Sequence, residues 1–84
     1  MVSVRWSNDA LRDIEGIDHI IAERIIEKTL WLEENFDSIV PEKLHRGLKG
    51  LYKLRVGDYR VIYSLHQHVI TIEAVDHRRD IYRR

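Results

Sequence analysis

The chain has 84 residues, of which 44% are hydrophobic, with 14 Lys and Arg against 14 Asp and Glu and no cysteine. That length fits one domain, residues 1–84, with a limited core; the composition excludes a disordered chain, and the missing cysteines exclude disulfides and thiolate metal sites. The zero net charge hides an asymmetry: residues 1–40 hold four basic against nine acidic side chains, a net of −5, and residues 41–84 hold ten against five, a net of +5, which points to a cationic working surface and a polyanionic partner.

Residues 2–6, VSVRW, alternate as a short strand, with Val2, Val4 and Trp6 on one side. Ser7 is placed to cap a helix over NDALRDIE, and Gly16 ends it or bends the chain. From Ile17 to about Phe36 the pattern is helical: Ile17, Ile21, Ile25 and Leu32 form a stripe, widened by Ile14, Ile26 and Phe36. Trp31 on this helix is read as core or as a partner contact. Residues 35–50 form a connector, since Pro41, Gly47 and Gly50 argue against a continuous helix.

Three strands follow, at about 51–56, 59–65 and 69–75. The order β-α-α-β-β-β predicts an α+β fold: a helical hairpin packed on an antiparallel sheet whose last three strands form a meander, with a short C-terminal tail. No apolar run reaches the length of a membrane span, and MVSVRWSND lacks the regions of a secretory signal. A cytoplasmic protein is expected.

LYKLRVGDYRVIY, residues 51–63, carries the functional signal. Gly57 at the first central position favours a type II′ turn over Gly57 and Asp58. Val56 then faces Tyr59, Leu54 faces Val61 and Tyr52 faces Tyr63, six side chains turned toward the helices. On the opposite, open face Arg55 lies across from Arg60, and Lys53 across from Ile62. A slip of one residue would bury the cations, so this register is robust. Like charges in register repel. Glu73 offsets part of that, and an anionic ligand, a phosphate, accounts for the rest.

VDHRRDIY adds Arg78 and Arg79 and then Tyr82. If this tail folds over the same face, the site gains two guanidinium groups and a phenol. A free tyrosine titrates near ~10, and neighbouring cations lower that value. Such a set suits metal-free RNA cleavage: the ribose 2′-OH attacks the adjacent phosphate, Tyr82 helps remove its proton, and Arg60 and the other cations stabilise the developing charge.

The remaining candidates are weaker. His66 and His68 flank a turn at Gln67, with no third metal ligand placed by sequence, so neither metal nor cofactor is expected. His45, with Arg46 and Lys49, could touch RNA or only solvent. His77 could contact RNA, move a proton or serve a structural hydrogen bond.

GLYKLRVGDYRVIY followed by VDHRRDIY, after the opening VSVRWSNDALRDI, resembles the RelE toxins of bacterial and archaeal type II toxin–antitoxin systems, in the RelE/ParE superfamily. The resemblance spans nearly the whole chain. It implies a ribosome-dependent mRNA endonuclease that cuts the codon in the ribosomal A site, leaving a 2′,3′-cyclic phosphate and a 5′-hydroxyl. Lys53, Arg55 and Arg60 match the family's basic strand residues, Arg78 matches best the arginine that stabilises the scissile phosphate, with Arg79 beside it on the substrate as the alternative, and Tyr82 matches the tyrosine of proton transfer. The implied partners are the ribosome, mRNA and a RelB-like antitoxin that folds on binding; operator DNA is met only through the antitoxin complex. Two rival readings remain: a ParE-like toxin of the same fold directed at gyrase, and a non-catalytic nucleic-acid-binding module.

Overall fold

A computed structural model describes residues 1–44 and 50–77. The order is β1 (Ser3–Trp6), α1 (Asn8–Glu15), α2 (His19–Asn35), a short 3₁₀ turn (Phe36–Ser38), β2 (Glu42–Lys43), β3 (Leu51–Val56), β4 (Tyr59–His66) and β5 (Val69–His77). The sheet runs β1-β5-β4-β3-β2, with β1 parallel to β5 and the other neighbours antiparallel. The α+β architecture and the β3–β5 meander follow the sequence reading. Among described residues no helix is long and apolar enough to cross a membrane.

The two helices start on side-chain caps. The Ala10 amide donates to Ser7 Oγ (3.0 Å) and the Ile20 amide to Asp18 Oδ2 (3.2 Å), each satisfying a donor that the first turn leaves free. Asp18 therefore starts α2 at His19, two residues later than the apolar stripe suggested. Ile25 and Leu32 are fully buried beside Val61, Tyr63, Ile70, Ile72 and Val75, and Ile14, Ile17, Ile21 and Phe36 pack against them. Ile26 departs from expectation at 42% exposed: it lies one residue, or 100°, beyond Ile25 around the helix, past the edge of the buried stripe. Trp31 is exposed too, with the Lys28 ammonium 3.8 Å from its ring centre.

No strand is expected in the connector from its sequence, yet Glu42 and Lys43 pair with Lys53 and Tyr52. This short β2 covers one end of β3 only. At Arg55, among the described residues, β3 has no outer neighbour, so Arg55 is an edge residue rather than an interior one. The other edge is closed by a side chain: the Val4 amide donates to Glu33 Oε2 of α2 at 2.7 Å.

A bulge in β5 decides which residues face where. Tyr63 pairs with Ile72 while Ile62 pairs with Ala74, so Glu73 is the extra residue. Ile70 and Ile72 are two apart, Ile72 and Val75 three apart, yet all three are buried on the helix face; only a change of phase permits that. Helix α1 is fastened there. Ser7 Oγ donates to the Glu73 carbonyl (3.2 Å), and the Val75 amide donates to Asp13 Oδ2 (2.9 Å).

Candidate nucleic-acid interface

The β3–β4 hairpin adopts the expected register: Val56 opposite Tyr59, Arg55 opposite Arg60, Leu54 opposite Val61, Lys53 opposite Ile62 and Tyr52 opposite Tyr63. Gly57 has φ 59° and Asp58 is not in the left-handed region, as a type II′ turn requires and a type I′ turn forbids. Tyr52, Leu54, Val56, Tyr59, Val61 and Tyr63 turn toward the helices. Lys53, Arg55 and Arg60 therefore share the opposite face.

Following the ladder across this face gives two rows. One runs Glu42, Lys53, Ile62, Ala74; the other runs Arg55, Arg60, Asp76. Directly opposed side chains lie about 4.5–5.5 Å apart at Cβ, so each row is a chain of near neighbours. A carboxylate stands at one end of each. Lys53 Nζ meets Glu42 Oε2 at 3.3 Å, its side chain only 10% exposed against 67% for Glu42. Arg60 (8% exposed) and Asp76 (9%) are buried neighbours across β4 and β5. Arg55 is exposed, and its Nε donates to the Gly57 carbonyl at 3.4 Å.

The face is thus neither open nor uniformly cationic at Arg60 and Lys53, contrary to the sequence reading. The repulsion inferred there is met within the chain by Glu42 and Asp76. Glu73 was expected to offset the cations; its carboxylate instead accepts from Ser64 Oγ at 2.7 Å.

Asp76 is the residue that plain alternation missed. Counted from Ile70 and Ile72 it would face the helices, and the bulge turns it onto the face of Arg60. The spacing of Ile72 and Val75 is the sequence signal for that bulge. The same shift sends His77 to the other side, where its ring stands edge-on to Tyr59 (centroids 5.3 Å, 82°). His77 is not grouped with the cations. Arg78, Arg79 and Tyr82, and also His45, Arg46 and Lys49, lie outside the described residues.

His66 ends β4, and the turn is Gln67–His68, both at positive φ (47° and 66°). Among described residues no cluster of three His, Asp or Glu side chains is placed to hold a metal ion. Tyr63 is held protonated, its pKa pushed up to about 12 by burial and by neighbouring Tyr52. The two rings stack with centroids 5.5 Å apart.

A family model described as the ParE toxin of type II toxin–antitoxin system, parDE, matches residues 4–82. Toxin RelG of Mycobacterium tuberculosis is 32% identical over 84 residues, covering 98% of this chain and 97% of that protein. Among solved structures, the toxin–antitoxin complex RelBE2 from Mycobacterium tuberculosis contains a chain similar at TM-score 0.80 and 29% identity, over 92% of this chain and 98% of that one. A chain of the chromosomal ParDE system from P. aeruginosa shares the fold at TM-score 0.72 and 18% identity, over 92% and 96% of the two chains.

Proposed function

This chain belongs to the ParE toxin family of type II toxin–antitoxin systems, within the RelE/ParE superfamily, and from that premise we propose that it is a ribosome-dependent, metal-independent mRNA endonuclease. The observation that carries this reading is the register of Arg55 against Arg60, with Lys53 one row along, on the sheet face turned away from the helices. The exposed Arg55 fork suits a phosphate oxygen directly, and Arg60, buried beside Asp76, and Lys53, its side chain largely buried beside Glu42, add positive charge behind it.

In this mechanism the mRNA phosphate docks on the Arg55–Arg60 row and Lys53. The ribose 2′ oxygen forms a bond to phosphorus as it loses its proton toward Tyr82. The bond from phosphorus to the 5′ oxygen breaks, and that oxygen takes a proton from water and leaves as a hydroxyl. A 2′,3′-cyclic phosphate remains. Arg78 or Arg79, with Arg60, stabilises the charge on the phosphoryl oxygens. Chain length allows this assignment: Arg78 is bonded to His77, and Tyr82 is five residues past it, a span of at most about 18 Å. The partners are the ribosome, its mRNA and a RelB-like antitoxin. Operator DNA is reached only through the antitoxin complex, and the setting is cytoplasmic.

The ParE description of the matching family favours a second reading, a toxin directed at gyrase. One experiment separates the two. Purified protein is added to ribosomes programmed with a defined mRNA and, in parallel, to a gyrase supercoiling assay. The nuclease reading expects a cut within the A-site codon and normal supercoiling. Intact mRNA with blocked supercoiling overturns it in favour of gyrase, and no effect in either assay overturns both.

A further inference from the structure

Lys53 carries its own counterion. Its side chain is nine-tenths buried, so its stem is held by the fold, whereas Glu42, 3.3 Å away, is two-thirds exposed and sits on a strand of two residues at the sheet edge. The two sides of the pair are therefore unequal in freedom: Glu42 can swing into solvent and Lys53 cannot. Water reaches the Glu42 side of the pair and screens it, so a stronger anion can replace the carboxylate.

We propose that Glu42 is an affinity-setting residue of the phosphate-binding face: an internal anion that occupies Lys53 until a nucleic-acid phosphate displaces it. The inference rests on the reading of Lys53, Arg55 and Arg60 as a phosphate site, but not on the cleavage chemistry. In the bound state the displaced carboxylate remains tethered near the incoming phosphate and repels it. Glu42 thus lowers affinity twice, by competing before binding and by repelling after it. Such a brake penalises ligands that offer a single weak charge and passes those whose several phosphates engage Arg55 and Arg60 as well. The natural occupant is then an RNA backbone and not a free monoanion.

The test is binding of the full chain to a short fluorescein-labelled single-stranded RNA, without ribosomes, followed by anisotropy from about 50 to 200 mM salt. Four proteins are compared: wild type, Glu42→Gln, Lys53→Met and the double variant. Thermal melts are run in parallel. Glu42→Gln is expected to bind up to about fivefold more tightly at low salt and to show a salt slope steeper by up to about 0.7, because no displaced carboxylate then takes up a cation as the phosphate binds. In the Lys53→Met background both gains should vanish, since the two residues act as one unit.

Equal gains with and without Lys53 would make Glu42 a general surface charge and overturn the proposal. Unchanged binding with a lowered melting temperature would make it a strand fastener, with the same consequence, and so would failure of both wild type and Glu42→Gln to bind RNA at the lowest salt. A protein that shows the Glu42 effect yet cuts no mRNA would lose the nuclease reading and keep this one. Cleavage with no Glu42 effect would do the reverse.

Discussion

The two faces of the sheet are buried to similar depths for different reasons. On the helix side Val61, Tyr63, Ile70, Ile72 and Val75 meet Ile25 and Leu32, and what is removed from water there is apolar. On the far side Ile62 (6% exposed), Arg60 and Asp76 are nearly as inaccessible, but two of those three are charged. Burying an apolar side chain stabilises through transfer out of water. Burying a charge costs free energy unless opposite charge and hydrogen bonds accompany it. Depth of burial therefore does not separate the apolar core from the charged face in a protein this small. The separation lies in what each buried group needs from its neighbours.

The sharpest test of that difference uses a tyrosine from each assignment. Tyr63 belongs to the core, and its pKa of about 12 removes it from proton transfer near neutrality. Tyr82 is the proposed proton-transfer group. Tyr82→Phe is expected to slow single-turnover cleavage on programmed ribosomes by about 10²–10⁴-fold, while ribosome binding changes little because the cations supply most of the attraction. Tyr63→Phe should leave the rate within about twofold. Equal rates for wild type and Tyr82→Phe would remove Tyr82 from the mechanism.

The core face should also fail first in alkali. Tyr63 has a folded pKa above its ordinary value of 10.0, so the folded state holds its proton more tightly than the unfolded chain does. That contribution is complete below pH 10 and is lost as pH rises through about 12. A loss of about 2–3 kcal/mol is expected across that window, read by urea unfolding. Tyr63→Phe should flatten it, and an unchanged slope in that variant would assign alkaline unfolding to other groups.

A paired comparison of Leu32→Ala and Arg60→Gln addresses the faces directly. The first opens a cavity and should cost about 2–5 kcal/mol with no change in the salt dependence of RNA binding. The second should cost about 1–3 kcal/mol, because the buried Asp76 carboxylate loses a neighbouring charge, and should lower the salt slope by about 0.7. Relief of the repulsion with Arg55, acting alone, would instead make Arg60→Gln neutral or slightly stabilising. A gain in stability would restore that view and remove Asp76 from the account.

How much was legible in the sequence follows from the kind of signal. The β3–β4 hairpin could be read residue by residue because Gly57 fixes a turn geometry and strict alternation fixes the rest. The RelE/ParE fold was legible because two motifs occur in order after a helical hairpin. The β5 bulge was not read, although Ile72 and Val75 announce it, because one inserted residue leaves composition and strand length almost unchanged while reversing every later side chain. That single shift moved Asp76 onto the cationic face and His77 off it. The short β2 was hidden for another reason: two residues beside Pro41 carry too little periodicity to register, and only pairing with β3 makes them a strand.

The smallest expected effect comes from the second hairpin, and it tests whether turn chemistry limits the sheet. Gln67 and His68 occupy left-handed backbone at φ 47° and 66°, the geometry of a type I′ turn, which favours Asn followed by Gly. A side chain held there costs about 1–2 kcal/mol, and glycine adopts it freely. His68→Gly should recover part of that cost, less about 0.4–1 kcal/mol for the greater freedom of glycine in the unfolded chain. The His68 carbonyl accepts from the Ser3 amide at 3.0 Å, a backbone bond that the substitution preserves, and the His68 side chain is exposed. The net expectation is a gain of about 0.5–1 kcal/mol in urea unfolding, with RNA binding and its salt slope unchanged because the turn lies at the opposite end of β4 from Arg60. A destabilised His68→Gly would show that the imidazole makes a contribution its exposure does not reveal. A changed salt slope would extend the nucleic-acid surface to this end of the sheet.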